Sequence, residues 1–398
     1  MNKKLIALAL AALPAAAMAD VTIYGTIAAG VESLKTYNAN TASFGGAPQA
    51  GNLQSRTEIN DWVSKIGFKG SEDLGNGLKA IWQVESRLNM DGSNSSNTLA
   101  TRDSFIGFAG DGWGKVRVGK LSDYANSDME QVDPGHYSNN GGANYGGAPS
   151  VGGLAMFTRI DGRHKNAIRY DSPNWSGFSY TALYATDEAR VKAADGSTTN
   201  NQFINIGLSY ENSGFFGKYN FGSWGDPSKI SGGSLKDWHR LEAGYNANNI
   251  YVAFGFQQAR GYVGTTVDGT GKINGLVDGG GLFYNSNAIA GSLTGFASDN
   301  PGVTSSGVLQ LARTREIALT GGYTFGAFTP YLSYAKGYNV NLSGFGDLNK
   351  TGYDQWVLGL DYALSKRTDI YTSYGHVNWK QTGSQNESSF GLGVIHNF

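Results

Sequence analysis

No cysteine occurs in this chain of 398 residues, which excludes a disulfide framework and any thiolate metal centre. Beyond the first twenty residues no apolar run nears the roughly 20 residues that a membrane-crossing helix needs, so a helical bundle in lipid is excluded too. An excess of either charge is also missing. Lysine and arginine number 31 against 32 acidic residues, and no basic stripe of the kind that grips nucleic acid is present. The five histidines (His136, His164, His239, His376 and His396) are scattered, with no nucleophile-base pair or metal-ligand spacing around them. That argues against hydrolase and metalloenzyme chemistry, and no cofactor motif is present. Proline is scarce at eight residues, which leaves room for long uninterrupted strands.

What is abundant is glycine, at 58, and tyrosine, at 22. The opening "MNKKLIALALAALPAAAMA" has Lys3 and Lys4, an apolar stretch from Leu5 to Leu13, and the small-residue site Ala17-Met18-Ala19. It reads as a secretory signal peptide, residues 1–19, cleaved before Asp20. Its removal leaves 29 basic and 32 acidic residues in the mature chain, expected to be one domain over 20–398. There, segment after segment alternates with period two. Ile204, Ile206, Leu208 and Tyr210 share a face, as do Ile250, Val252, Phe254 and Phe256, and Trp356, Leu358, Leu360 and Tyr362. Small or polar residues occupy the opposite faces, the pattern of half-buried strands.

Short connections alternate with long Gly/Asn/Ser/Asp-rich ones. Eight tight turns are read at 72–77, 110–115, 172–177, 211–214, 246–249, 285–291, 325–328 and 364–368. Long loops are read near 33–57, 88–101, 122–163, 187–200, 225–237, 261–275, 299–313, 338–352 and 380–386. Tight turns at one end and long loops at the other describe an all-β, transmembrane antiparallel β-barrel with up-and-down meander topology. A sheet in hydrocarbon must close on itself, with one face apolar toward lipid and the other wet. A soluble propeller needs a recurring motif about every 40 residues, and none recurs here. The turn count gives eighteen strands. Trp62, Tyr170, Trp175, Tyr210, Tyr245 and Tyr362 near strand ends suit interfacial girdles.

Six stretches in order carry a resemblance: "DVTIYGTI" (20–27), "SKIGFKGSEDLGNGLKAIWQVE" (64–85), "RDSFIGFAGDGWGKVRVGKL" (102–121), "AIRYDSPNWSGFSYTALY" (167–184), "LGLDYALSKRTDIYTSYGH" (358–376) and the terminal Phe398. Together they resemble the general-diffusion porins of the Gram-negative outer membrane, in their beta-proteobacterial form. The resemblance implies sixteen strands as the norm, so the range is 16–18, and the length of the chain favours eighteen. It implies a homotrimer, with each pore narrowed by an inward-folded third loop, here 122–163. That loop carries Asp123, Asp128, Glu130 and Asp133 in "LSDYANSDMEQVDPGHY". Facing it, the resemblance implies a basic wall, matched by Lys65, Arg102 and Arg163. Alternation alone points Lys115 and Arg117 inward beside Gly119, since Val116 and Val118 face the other way. Phe398 stands where the family's terminal aromatic closes the last strand and is read by the barrel-assembly machinery.

The expected function is passive diffusion of ions and small hydrophilic solutes through a water-filled channel in the bacterial outer membrane. Opposed charges in a narrow pore would set selectivity. The expected surroundings are outer-membrane lipid and lipopolysaccharide, with no nucleic acid. The competing expectation is a substrate-selective channel for sugars or organic anions. Trp113, Tyr137 and Tyr145 are the aromatic residues that sequence offers for lining such a path.

Overall fold

A computed structural model describes residues 21–37, 53–61, 63–90, 99–135, 152–188, 190, 192, 196–229, 234–267, 273–278, 282, 295–303, 308–384 and 386–398. The signal peptide, Trp62, His136, Tyr137, Tyr145 and the turn at 285–291 lie outside them. The strands are β1 (Thr22–Tyr37), β2 (Leu53–Asn60), β3 (Lys65–Gly75), β4 (Leu78–Arg87), β5 (Ser104–Gly110), β6 (Gly114–Ser122) and β7 (Arg163–Asp171). Next come β8 (Phe178–Ala185), β9 (Phe203–Asn212), β10 (Phe215–Trp224), β11 (Leu235–Ala247), β12 (Ile250–Val267) and β13 (Ile273–Asp278). The series ends with β14 (Gln310–Tyr323), β15 (Phe328–Gly337), β16 (Asn341–Leu342), β17 (Gly346–Asp347), β18 (Tyr353–Ala363), β19 (Thr368–Trp379) and β20 (Glu387–Asn397). Among the described residues three short α-helices, α1 (Tyr124–Asp128), α2 (Ala155–Thr158) and α3 (Gly295–Asp299), and a 3-10 turn at Pro227–Lys229 sit in loops.

Every strand pairing is antiparallel, and β20 pairs with β1, so the sheet closes into a barrel. Sixteen staves form the wall. β2 and β3 make one stave, since both pair with β1, at Gly30–Tyr37 and Thr22–Thr26 respectively. The break between them is bridged by Ser64, whose Oγ accepts from Ala28 N and donates to Ala28 O, both at 3.0 Å. The count of eighteen is thus corrected to sixteen. No stave stands between β12 and β14, which pair directly from Ile250↔Tyr323 to Val263↔Gln310. The stretches 261–275 and 299–313 therefore bracket one long connection. Among the described residues β13 pairs with the far end of β12, from Val263↔Asp278 to Val267↔Ile273. The turn at 325–328 does join two staves, β14 and β15.

The alternation read from sequence becomes the two faces of the barrel. Ile204, Ile206, Leu208, Phe254, Leu319, Trp356, Leu358, Phe390, Leu392 and Val394 are exposed on the outside, while their strand neighbours point into the barrel and are buried. A soluble protein could not leave such a belt in water. At the short-turn end the belt is rimmed by paired rings, including Phe215 with Tyr245, Tyr323 with Phe325 and Phe328 with Tyr362, at centroid separations of 4.5–4.8 Å. Trp113 and Trp175 lie in the same rim.

Phe398 closes the seam. Its backbone exchanges two hydrogen bonds with Gly25, at 3.0 and 3.1 Å. Its ring occupies the place where a Cβ on Gly25 would lie, only 2.4 Å from that point. Glycine at 25 is what lets the aromatic ring lie flat over the first stave.

Candidate functional site: the lumen and its inward loop

The connection between β6 and β7 folds into the barrel and lies against one wall. Asp123 starts it by capping α1, accepting from Asn126 N at 2.9 Å. The ring of Tyr124 then covers Gly207 of β9, where a Cβ would sit 2.0 Å from the ring, and its N–H donates to Asn205. Lys218 of β10 donates to the Asp128 carbonyl at 2.8 Å. Glu242 of β11 accepts from the Glu130 and Gln131 amides at 3.3 and 2.5 Å. Tyr251 of β12 and Thr320 of β14 donate to the carbonyls of Gln131 and Val132. The returning limb is tied in the same way. Gln355 of β18 and Ser373 of β19 donate to Gly153 and Gly152 carbonyls, and Gln257 to that of Phe157. Phe157 and Val132 pack onto Gly255, so closely that a Cβ there would displace them. The loop's apolar residues, Val132, Leu154, Phe157 and Ile160, join the buried cluster of that wall. From β9 to β19, then, loop and wall form one packed layer.

An acidic ensemble lies inside this layer. Glu130 on the outgoing limb and Asp161 on the returning limb are half-buried, and one enclosed carboxylate oxygen of each has no donor. Two carboxylates facing one another without a donor share a proton. Burial, then the charge of Asp161, pushes the Glu130 carboxyl well above its ordinary range, while burial pushes Asp161 up to about 6. Arg240 reaches the same space, donating to Gln257 at 2.7 Å and to the Phe157 and Ile160 carbonyls. Arg159 bonds Glu316 beside it.

Among the described residues the opposite wall carries no loop, and it is lined with cations. Lys65 and Arg102 share Glu85, at 3.9 and 2.5 Å. Arg163 holds Asp103 at 2.8 Å, and Asp103 also accepts from Ser122 N and Oγ, each at 2.7 Å. Arg117 and Arg169 share Asp171, at 2.6 and 2.7 Å, and Arg169 reaches across to Asp128 at 2.8 Å. Lys115 stands opposite Asp171 in the register of β6 and β7. Six cations therefore face four carboxylates along this arc and its junction with the loop. Beneath Asp128, a cavity of about 640 Å³ opens between Lys115, Asp171, Tyr180, Glu211 and Lys218.

All five basic residues named from sequence thus lie on one side of the lumen. The four loop acids divide differently. Asp128, 40% exposed at its side chain, is the one that reaches open space. Asp123 is enclosed as a helix cap and bonds His164 Nε2 at 3.1 Å, Asp133 accepts from Leu154 N at 2.8 Å, and Glu130 faces Asp161 between the two limbs of the loop. Those three hold the loop together rather than presenting charge to water. Trp113 belongs to the short turn after β5, away from the narrows. Arg169, Glu85, Asp103 and Asp171 escaped notice in the sequence. Alternation from Arg117 through "AIRYD" puts Arg169 and Asp171 on the inward face, and from Lys65 it does the same for Glu85.

A closed sixteen-stave barrel with a charged lumen and an inward loop is matched by sequence comparison. The chain matches the Gram-negative porin family over residues 5–382. It belongs to that family. It is 37% identical to the major outer membrane protein P.IB of Neisseria sicca over 418 aligned positions covering the whole of both chains. It is 35% identical to that of Neisseria meningitidis serogroup B over 403 positions, again all of both. Among solved structures, the anion-selective porin from Comamonas acidovorans superposes with a TM-score of 0.63 at 19% identity, covering 96% of this chain and 100% of the other. Salmonella typhi OmpF, solved with daunomycin, gives 0.61 at 14% identity, covering 96% and 98%. This porin resides in the outer membrane and is a channel rather than an enzyme. It passes ions and small hydrophilic solutes by passive diffusion.

Proposed function

We propose that this porin sorts solutes at the gap between the arc of Lys65, Arg102, Arg163, Lys115 and Arg117 and the loop surface carrying Asp128. A modest preference for anions follows. The observation that carries this reading is the surplus of cations over carboxylates along the arc, with Asp123 and Asp133 of the loop enclosed. Residues 136–151, the rest of the loop, contain no Asp, Glu, Lys or Arg that would alter the balance. Low-dielectric walls focus the field of such a lining onto the short path between them. In a planar bilayer under a tenfold KCl gradient, the reversal potential should carry the sign of chloride permeation. A cation-signed potential would overturn the reading.

In this reading the chain is exported with residues 1–19 removed, works as a homotrimer in a lipopolysaccharide-bearing membrane, and offers Phe398 to the assembly machinery. The family and the two-bond pairing of Phe398 with Gly25 support it. Unit conductance steps should group in threes. A sugar- or organic-anion-selective channel is less well supported. The inward aromatic group of His164, Phe203, Trp224 and Trp238 is packed together, with Phe203 and Trp238 fully buried, and so offers no stacking staircase to a passing ring.

A further inference from the structure

The long connections of a barrel lie at its surface, where segments open more easily than the staves they join. Three of them here share one fastening. Asp299 ends α3 in the connection from β13 to β14, and its side chain is only 4% exposed. Its carboxylate accepts from Thr382 N at 2.8 Å and Thr382 Oγ at 2.7 Å, in the connection from β19 to β20. It also accepts from Lys350 Nζ at 3.0 Å, in the connection from β17 to β18, and the same ammonium donates to Thr382 Oγ at 2.7 Å. Beside this knot Asn349 N donates to Asn300 Oδ1 at 2.7 Å, and Asn300 Nδ2 donates to the Asn349 carbonyl at 3.2 Å. Lys350 has a φ of +58°, a left-handed backbone that a lysine holds only where its surroundings impose it.

The fastening continues inward. One buried cluster takes in Phe296 of α3, Leu348, Leu282 and, on the inward loop, Phe157 and Ile160. Leu282 belongs to the same connection as α3. Its side chain lies 3.1 Å from where a Cβ on Gly261 would stand, and its carbonyl accepts from Arg159 Nη2 at 2.8 Å. Arg159 sits on the returning limb of the inward loop and also bonds the wall, at Glu316 and at Thr314 Oγ. One guanidinium therefore ties the inward loop both to β14 and to the connection that Asp299 fastens above. Packed side chains and hydrogen bonds in unbroken contact are what carry coupling between distant sites.

We propose that the connection from β13 to β14 is a strap, buckled at its outer end by Asp299 and holding the inward loop at its inner end through Arg159. The buckle sets how long the channel dwells fully open. While it is fastened, the Leu282 carbonyl stays in place and Arg159 keeps the returning limb against β14. Once it is undone, Arg159 loses that acceptor, and the limb moves more often into the passage. The strap acts on closing and not on the charge of the lumen, so it is independent of ion sorting.

The test counts closures per second of open time in a planar bilayer at fixed potential, for the wild type, D299A, R159M and the D299A/R159M double variant. D226A serves as control. It undoes a clasp of similar make, in which Asp226 accepts from Lys229 Nζ at 3.1 Å and Asn200 N at 2.9 Å, on the connections after β10 and β8. D299A and R159M should each close roughly fivefold more often than the wild type, within the range that a coupled network transmits. The double variant should close no more often than the more affected single, because both changes cut the same link. D226A should match the wild type. Wild-type closing in D299A, a double variant whose increase is the product of the two singles, or an equal rise in D226A would each overturn the proposal. Should D299A fail to assemble, K350M removes the exposed half of the buckle and should still raise closing roughly twofold; no rise there would overturn it as well. The reversal potential of D299A should stay at the wild-type value, so failure of ion sorting and failure of the strap are read separately.

Discussion

The two halves of the lumen face each other and are built on different principles. From β9 to β19 the wall is padded by the inward loop, to which its polar side chains are hydrogen-bonded, and Glu242 and Glu316 are buried under that padding. From β3 to β7 the wall is bare of loop among the described residues, and its charges form small shared groups at the surface of the lumen, with Lys65 still 31% exposed. One side sets the width of the passage and the other sets its charge. Geometry and selectivity are therefore separable by mutation.

The largest effect is expected on the padded side. Arg240→Met leaves Glu130, Asp161 and Glu242 without their buried cation, a change that costs about 3–5 kcal/mol when a buried partner is lost. The loop should become cleavable by added protease, and the heat step in gel mobility should move to lower temperature. An unchanged loop would mean that Arg240 is not what binds the ensemble. Next comes Gly255→Phe, which puts a ring where Phe157 and Val132 sit and costs about 1–3 kcal/mol by overpacking. Larger unit conductance and uptake of sugars too big for the wild type should follow, with little change in ion preference.

Acidity should act on the same side with a definite sign. The carboxyls of Glu130 and Asp161 are raised, so their contribution is full below about pH 4, where both are protonated in any state. It declines as pH climbs through about 6. Open-channel noise from the loop should grow between those values, and Asp161→Asn should flatten that dependence.

On the bare side the effects are smaller and electrical. Lys65→Glu with Arg102→Glu should move the reversal potential toward cations by on the order of 10 mV, against a limit of 59 mV per tenfold gradient. The smallest change is expected from Asp128→Asn, which removes an exposed charge already paired with Arg169. A slight shift toward anions, with unit conductance retained, would fit its place in open water.

The sequence displayed one half of this arrangement better than the other. The bare wall was legible because Lys115 and Arg117 alternate with outward valines, so their direction follows from the backbone alone. The outer belt was legible for the same reason. The loop acids were not, since the fate of Asp133 or Glu130 depends on groups distant in the chain, such as Leu154 N and Asp161. Asp123 did carry a local clue: "DYAN" is a capping arrangement in which the acid serves the helix. Two strands too many were counted because a tight turn was read at 285–291, within what is one long connection from β12 to β14. Alternation reports a two-sided ribbon and is silent about whether that ribbon stands in the wall or above it.

The seam between β1 and β20 joins residues some 370 positions apart, as in the bond from Thr26 to Asn397. No local segment can satisfy both edges of the sheet beforehand, so the nascent polypeptide must travel with two unmatched rims open to chance pairing. Once stitched, the cylinder offers no loose border at which unravelling could begin, and its persistence in the cell should be governed by the slowness of reopening that one line.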